Sequence, residues 1–250
     1  MNREELLSAL RALPPASRII TALDVPGRDE AVRLAAGLGP AGGFVKVGLE
    51  LFSAAGPDVV ADMKAAGRDV FLDLKYHDIP NTVASAARIA ARLGASLCTM
   101  HAQNGRAAMT AAAEALADAV PDPVTGRRPA LLAVTILTSL SEEQLAEAAP
   151  SPDRLQDRVE RLASLAWECG CDGLVCSAAD LPRLREVVGP GPLIVTPGIR
   201  PAGADAGDQH RVATPRQAVD AGADFLVIGR PITQADDPAA AIAAIAAEMS

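Results

Sequence analysis

Aromatic residues are the scarcest class in this chain, whose 250 residues include four Phe, one Trp and one Tyr. Single-strand nucleic-acid binders stack bases on aromatic rings, and so thin a supply excludes such a platform. Positive charge is also short: 23 Lys and Arg stand against 31 Asp and Glu, for a formal net charge of −8. With no basic stripe to displace counterions from phosphates, no nucleic-acid partner is expected. No apolar run approaches the roughly 18 residues that a membrane span needs. The opening, MNREELLSALRAL, has the pattern of an amphipathic helix and not of a signal peptide. The expectation is a cytoplasmic protein with no membrane partner.

Other absences narrow the chemistry. The four cysteines, Cys98, Cys169, Cys171 and Cys176, are too few and too clustered for a disulfide framework, and they read as buried free thiols. His77, His101 and His210 are the only histidines. They form neither a His-x-His nor a His-Glu-x-x-His pattern, so no metal is expected. His77 reads as a residue that orients backbone beside Asp78, and His101 as an ordinary rim or core histidine. A G-x-S-x-G nucleophile elbow is missing, and Ser139 and Ser177 have no obvious paired base.

What is present is a large apolar supply, 50% of residues against 22% charged, enough for one large α/β domain or two smaller ones. Eight short β-rich runs occupy residues 18–24, 44–48, 70–75, 96–101, 130–135, 173–177, 193–197 and 225–229. Helical patterns at 30–38, 57–66, 82–93, 106–119, 153–169 and 181–188 separate them, as crossovers between parallel strands require. Two shorter helices are expected after the last two strands, because Thr214-Pro215 and Asp237-Pro238 each pair a capping residue with a first-turn Pro. Eight such units match a (β/α)₈ TIM barrel spanning 1–250 with a short N-terminal helical extension. The competing doubly wound sheet ordinarily carries a Gly-rich turn after its first strand, whereas Leu23-Asp24 runs into Val-Pro-Gly.

The most informative stretch is residues 71–82, Phe-Leu-Asp-Leu-Lys-Tyr-His-Asp-Ile-Pro-Asn-Thr. Strand alternation puts Phe71, Asp73 and Lys75 on one face and Leu72 and Leu74 on the other. Asp78 follows in the turn, close enough to return to the same mouth, and Pro80 opens a helix. A lone surface ion pair would mean little, but the apolar flanks bring this one toward a core, where unpaired charge is costly and functional clusters concentrate. In a barrel the C-terminal strand ends form the active face, and there Asp24, Lys46, Asp73 and Lys75 share one rim. Gly198-Ile-Arg200 and Gly229-Arg230 follow the seventh and eighth strands, where this architecture often holds phosphate on backbone amides and a guanidinium fork.

The chain resembles the orotidine 5′-phosphate decarboxylase family. The resemblance rests on Asp73-Leu-Lys75-Tyr-His-Asp78-Ile-Pro-Asn-Thr82, Ala22-Leu-Asp24, Val45-Lys46-Val-Gly48, Val134-Thr-Ile-Leu-Thr138-Ser139, Thr196-Pro197-Gly-Ile-Arg200, Asp208-Gln209 and Val227-Ile-Gly229-Arg230, in that family's order. It implies decarboxylation of orotidine 5′-monophosphate to uridine 5′-monophosphate, the last step of de novo pyrimidine nucleotide synthesis, without a cofactor. By the same resemblance Lys75 protonates C6 of the pyrimidine, Asp73, Asp78 and Lys46 complete a charge network, and Asp78 comes from the other subunit of a homodimer. Asp24 and Thr82 would hold ribose hydroxyls, and Thr138 and Ser139 the neighbourhood of the base. Pro197 would line the substrate site, while Arg200, Gln209, Gly229 and Arg230 would bind phosphate.

His101-Ala-Gln-Asn-Gly105 departs mildly from the family's glycine-rich version after the fourth strand. The Gly- and Ala-rich segment 198–209 is expected to act as a lid over the phosphate. Residues 121–129 read as a surface loop. Two alternatives stay open at this level: a barrel acting on a sugar phosphate with a divalent metal, and a noncatalytic nucleotide-binding barrel.

Overall fold

The computed structural model of the chain describes residues 1–201 and 213–249. Among these, eight parallel strands close into a barrel in sequence order: β1 (Ile19–Ala22), β2 (Phe44–Gly48), β3 (Asp69–Tyr76), β4 (Leu97–His101), β5 (Ala130–Val134), β6 (Gly173–Val175), β7 (Leu193–Thr196) and β8 (Phe225–Ile228). The helices are α1 (Arg3–Arg11), α2 (Arg28–Gly37), α3 (Leu49–Ala55), α4 (Asp58–Ala65), α5 (Pro80–Arg92), α6 (Gly105–Ala117), α7 (Glu142–Ala148), α8 (Leu155–Glu168), α9 (Leu181–Val188), α10 (Pro215–Asp220), α11 (Arg230–Thr233) and α12 (Pro238–Glu248). The TIM barrel expected from the sequence is the fold, and the doubly wound sheet is excluded by closure. No described helix is long and apolar enough to cross a membrane.

Strand parity divides the core into two shells. Ile20, Phe44, Phe71, Leu97, Leu132, Val195 and Phe225 point inward and fill the barrel, with the Phe44 and Phe225 rings meeting edge to face at 5.4 Å. Val45, Val70, Leu72, Cys98, Leu131 and Ile194 point outward under the helices. All four cysteines are free and buried, and burial pushes the thiols of Cys98, Cys171 and Cys176 up.

Helix α1 plugs the N-terminal mouth of the barrel. Its Asn2–Glu5 capping box fixes the start, and Leu6, Leu7 and Leu10 pack into the inner cluster. Arg11 latches its other end to the carbonyls of Pro190, Gly191 and Pro192, and Arg3 lies 3.4 Å over the Trp167 ring. The caps read from the sequence at Thr214 and Asp237 are in place, each accepting a backbone N–H in the first turn. The sequence patterns do not mark α3, α7 or the single-turn α11. Helix α7 has its own capping box at Ser141 and Gln144, but only two turns follow it.

At the same lower face, aspartates at strand starts bind Arg side chains and neighbouring amides. Asp172 takes Arg128 in a fork at 2.8 and 2.9 Å and the Leu131 N–H at 2.9 Å. Asp224 takes Arg11, Arg185 and the Ile194 N–H, and Asp69 takes Arg127 and the Ser96 hydroxyl. The segment 121–129 is the surface loop expected from the sequence, but its C-terminal end is anchored. Its tip at Val124 is exposed, but Arg128 is buried and Arg127 is tied inward to Asp69. Burial would raise Asp122, yet the Thr125 and Val124 amides and Lys64 outweigh it and hold that carboxyl at about 2. Those carboxylate partners lie far away in the chain, which is why a Pro- and Arg-rich segment read alone looks like plain loop.

Removing Asp172 strands a buried guanidinium and an amide. Asp172→Ala should cost about 3–5 kcal/mol, a large part of a typical total stability of about 5–15 kcal/mol. Arg106→Ala, at an exposed pair with Glu168, should leave stability nearly unchanged, since solvent screens such a pair. Urea denaturation of both variants checks the contrast, and equal losses would contradict it.

Candidate active site

The upper face gathers charges that are scattered in sequence. Lys46 occupies an inward position of β2, between the inward Phe44 and the strand end, so its ammonium rises through the barrel mouth. There its Nζ lies 2.7 Å from Asp24 Oδ1 and 4.0 Å from Asp73 Oδ2. Lys75 Nζ lies 2.8 Å from that same Asp73 oxygen. The result is one alternating chain, Asp24, Lys46, Asp73, Lys75, in which each internal member has an opposite charge on either side. Asp24, with 56% of its side chain exposed, forms the wet end, and Asp73 is buried.

Local backbone makes the chain possible. Gly48 ends β2 beside Asp73, and a Cβ there would stand 2.7 Å from Lys46 Nζ and 3.3 Å from Asp24 Oδ1. Only hydrogen leaves the ammonium its position. Between the pairs Leu72–Cys98 and Tyr76–Met100 the β3–β4 register shifts, and Lys75 has φ 51°, the one described non-glycine residue with positive φ. The Lys75 N–H donates to Thr99 Oγ1 at 2.9 Å, and that hydroxyl donates to Asp73 Oδ1 at 2.9 Å.

A cleft of about 460 Å³ opens beside the charges, lined by Ala22, Asp24, Lys46, Pro197, Gly198, Arg200, Val227, Gly229, Arg230, Thr233 and Gln234. Its volume suits a small molecule. Gly198 has φ 77°, and the Arg200 backbone is fixed by the Ile199–Ala213 bridge. Arg200 and Arg230, from the segments that follow β7 and β8, thus line the same cleft as Lys46. A second groove, about 620 Å³, lies between the C-terminal ends of α5 and α6; mostly apolar, it is remote from the strand ends that carry the charge chain.

Of the residues expected from sequence, Asp24, Lys46, Pro197, Arg200, Gly229 and Arg230 line this cleft, and Asp73 and Lys75 join it through Lys46. Thr82, Thr138 and Ser139 do not line it. Thr82 is exposed in the first turn of α5, and Thr138 and Ser139 form a turn after β5. Asp78 is exposed, its Oδ1 accepts the Ile79 N–H at 2.6 Å, and it has no ion-pair partner within 4.0 Å among the described residues. One copy of the chain therefore does not return Asp78 to the charge network. Gln209 and most of the expected lid, residues 202–209, lie outside the described residues.

His77 is exposed with its ring 5.3 Å from that of His101. Burial, then the charges of His77 and Lys75, lower the His101 imidazole, and Asp73 only partly offsets them. The described residues contain no cluster of three or more His, Cys, Asp or Glu suited to a metal ion. Sequence reasoning missed Thr99, Thr233 and Gln234. A Thr in an apolar strand is ordinary β-former usage, so nothing marked Thr99.

The chain is similar to known proteins over nearly its whole length. The family model described as "Orotidine 5'-phosphate decarboxylase / HUMPS family" matches residues 17–245. A relative from Sodalis glossinidius, named orotidine 5′-phosphate decarboxylase, is 47% identical over 98% of this chain and 96% of its own. One of the same name from Moorella thermoacetica is 49% identical over 93% of this chain and 92% of its own. The crystal structure of orotidine 5′-phosphate decarboxylase from Lactobacillus acidophilus is 40% identical, with a TM-score of 0.83 over 93% of this chain and 98% of that one.

Gly48→Ala tests the crowding at Lys46. The obstructed atom is the end of a flexible side chain, so the thermal midpoint should move by no more than a few degrees, roughly 1 kcal/mol. Turnover by the site should fall at least about 10-fold as the ammonium is displaced. Native kinetics in this variant would show that Lys46 has no fixed place in the chemistry.

Proposed function

The chain belongs to the orotidine 5′-phosphate decarboxylase / HUMPS family, and from that premise we propose that it converts orotidine 5′-monophosphate to uridine 5′-monophosphate and carbon dioxide. This is the last step of pyrimidine nucleotide synthesis. The observation that carries the reading is the alternating Asp24–Lys46–Asp73–Lys75 chain beside a cleft that Arg200 and Arg230 also line.

In the reaction the bond from C6 to the carboxylate breaks, its electron pair stays on C6, and carbon dioxide leaves. The developing carbanion needs a fixed positive charge close by, and Lys75 supplies it. Lys75 then gives a proton from Nζ to C6 and recovers one from solvent. Asp73 holds Lys75 and Lys46 so that neither has to reorganise as charge develops, and the scheme requires no cofactor. Asp24 takes a ribose hydroxyl. Arg200, Arg230 and the Gly229 backbone hold the phosphate with Gln209, and Pro197 closes the side of the site. Binding energy from a phosphate remote from C6 can lower the barrier there.

The active unit is a homodimer in which Asp78 crosses to the partner's lysines and Thr82 to its ribose. Supporting this, Asp78 is exposed and unengaged by lysine within its own chain. Its neighbour Ile79 is 66% exposed, and Leu49, which follows the adjacent strand β2, is 58% exposed, two apolar side chains that a partner would cover. Thr138 and Ser139 meet the base from the β5 turn. A biosynthetic reaction on a phosphorylated nucleotide is consistent with a cytoplasmic enzyme.

Loss of orotidine 5′-monophosphate absorbance in chelator-treated buffer tests the reaction. The native chain should convert the substrate, and Lys75→Ala should be slower by at least about 10⁴-fold. A folded native protein that fails to convert it sinks the reading and directs attention to a sugar phosphate with added magnesium.

Mixed dimers test the shared site. Lys75→Ala and Asp78→Asn should each be nearly inactive alone. Mixed and re-equilibrated, they should recover about a quarter of native turnover, because half the dimers are hybrids with one intact site each. No recovery on mixing would confine the site to one subunit.

A further inference from the structure

Strand β3 carries more residues than its neighbour can pair. From Leu72 opposite Cys98 to Tyr76 opposite Met100, Asp73, Leu74 and Lys75 on β3 face Thr99 alone on β4. A bulge of this kind leaves backbone groups without ladder partners, and an inward one would cost stability unless something else satisfied them. Thr99 is fully buried and points inward, since Cys98 and Met100 on either side belong to the outer shell.

The hydroxyl is used in both senses. It accepts the Lys75 N–H at 2.9 Å and donates its own hydrogen to Asp73 Oδ1 at 2.9 Å. With Oδ1 so occupied, Asp73 Oδ2 faces both ammoniums, Lys75 at 2.8 Å and Lys46 at 4.0 Å. The contacts close a ring: Lys75 backbone N–H, Thr99 hydroxyl, Asp73 carboxylate, Lys75 Nζ. That ring ties the side chain of Lys75 to its own backbone at φ 51°, a conformation that a non-glycine residue keeps only when its surroundings impose it.

We propose that Thr99 is the positioning residue of this site, setting both the left-handed backbone of Lys75 and the oxygen that Asp73 presents to the lysines. It touches no reacting atom and acts through Lys75, which does, and through Asp73, which holds Lys75 in place. Its kinetic consequence rests on the decarboxylase reading; its structural consequence does not.

The test compares the native protein with Thr99→Val, which keeps the shape and loses the hydroxyl, and Thr99→Ser, which keeps the hydroxyl. Turnover of orotidine 5′-monophosphate and backbone amide exchange at Lys75 are measured on each. Thr99→Val should lower kcat by about 10- to 100-fold, the effect of a hydrogen bond to a charged group, with KM moving less than about 3-fold. Thr99→Ser should restore kcat to within about 3-fold of native. The Lys75 amide should exchange at least about 10-fold faster in Thr99→Val, while the Leu72 and Cys98 amides stay as they are.

If Thr99→Val does not accumulate as folded protein, Thr99→Ala carries the same comparison. Native kcat with native Lys75 exchange in the variant overturns the proposal. So does equal loss in the Val and Ser variants with all core amides opening together, which is general destabilisation. If the native protein does not decarboxylate the substrate, the functional reading fails by itself and exchange at Lys75 decides the role of Thr99.

Discussion

Barrel closure is the constraint from which the rest follows. With β8 paired to β1, no strand is an edge, every inward side chain faces the same interior, and every crossover returns outside it. The interior is filled with Phe, Leu, Val and Ile up to the level of Phe44 and Phe71. Charges on inward positions above that level have only one place to go, the upper mouth. Lys46 and Asp73 each stand two residues beyond an inward Phe, and the pairing of β2 with β3 brings them within 4.0 Å.

That placement decides the electrostatics. A lysine half-buried over an apolar core is costly when alone, and Lys46 and Lys75 have a carboxylate at 2.7 and 2.8 Å. Sharing one Asp73 oxygen holds two like-charged ammoniums near each other, an arrangement that solvent-exposed residues would not maintain. The structure maintains it with features that carry no charge: the missing Cβ of Gly48, the bulge in β3 and the Thr99 hydroxyl.

Charge at the opposite face has a different purpose. Asp69, Asp172 and Asp224 each combine an Arg side chain with another donor at a strand start, and α1 seals the bottom with Leu6, Leu7 and Leu10. Ion pairs there are closed and complete. At the top they are left open toward a cleft, so the two ends of one barrel divide stability from chemistry, a division common to this architecture.

Much of this was legible in the linear chain. Eight strand patterns with intervening helices implied the barrel, and period-two alternation identified Phe71, Asp73 and Lys75 as sharing a face. The caps at Thr214 and Asp237 were readable because capping depends on neighbours three residues away. What sequence determined was therefore whatever rests on local geometry: strand parity, helix starts, and which polar residues end which strands. Only the tertiary structure decided that Arg128 is buried against Asp172, that Gly48 makes room for an ammonium from its own strand, and that Thr99 answers a bulge on β3. Those depend on how strands pair and where side chains meet in space, and no spacing along the chain sets either.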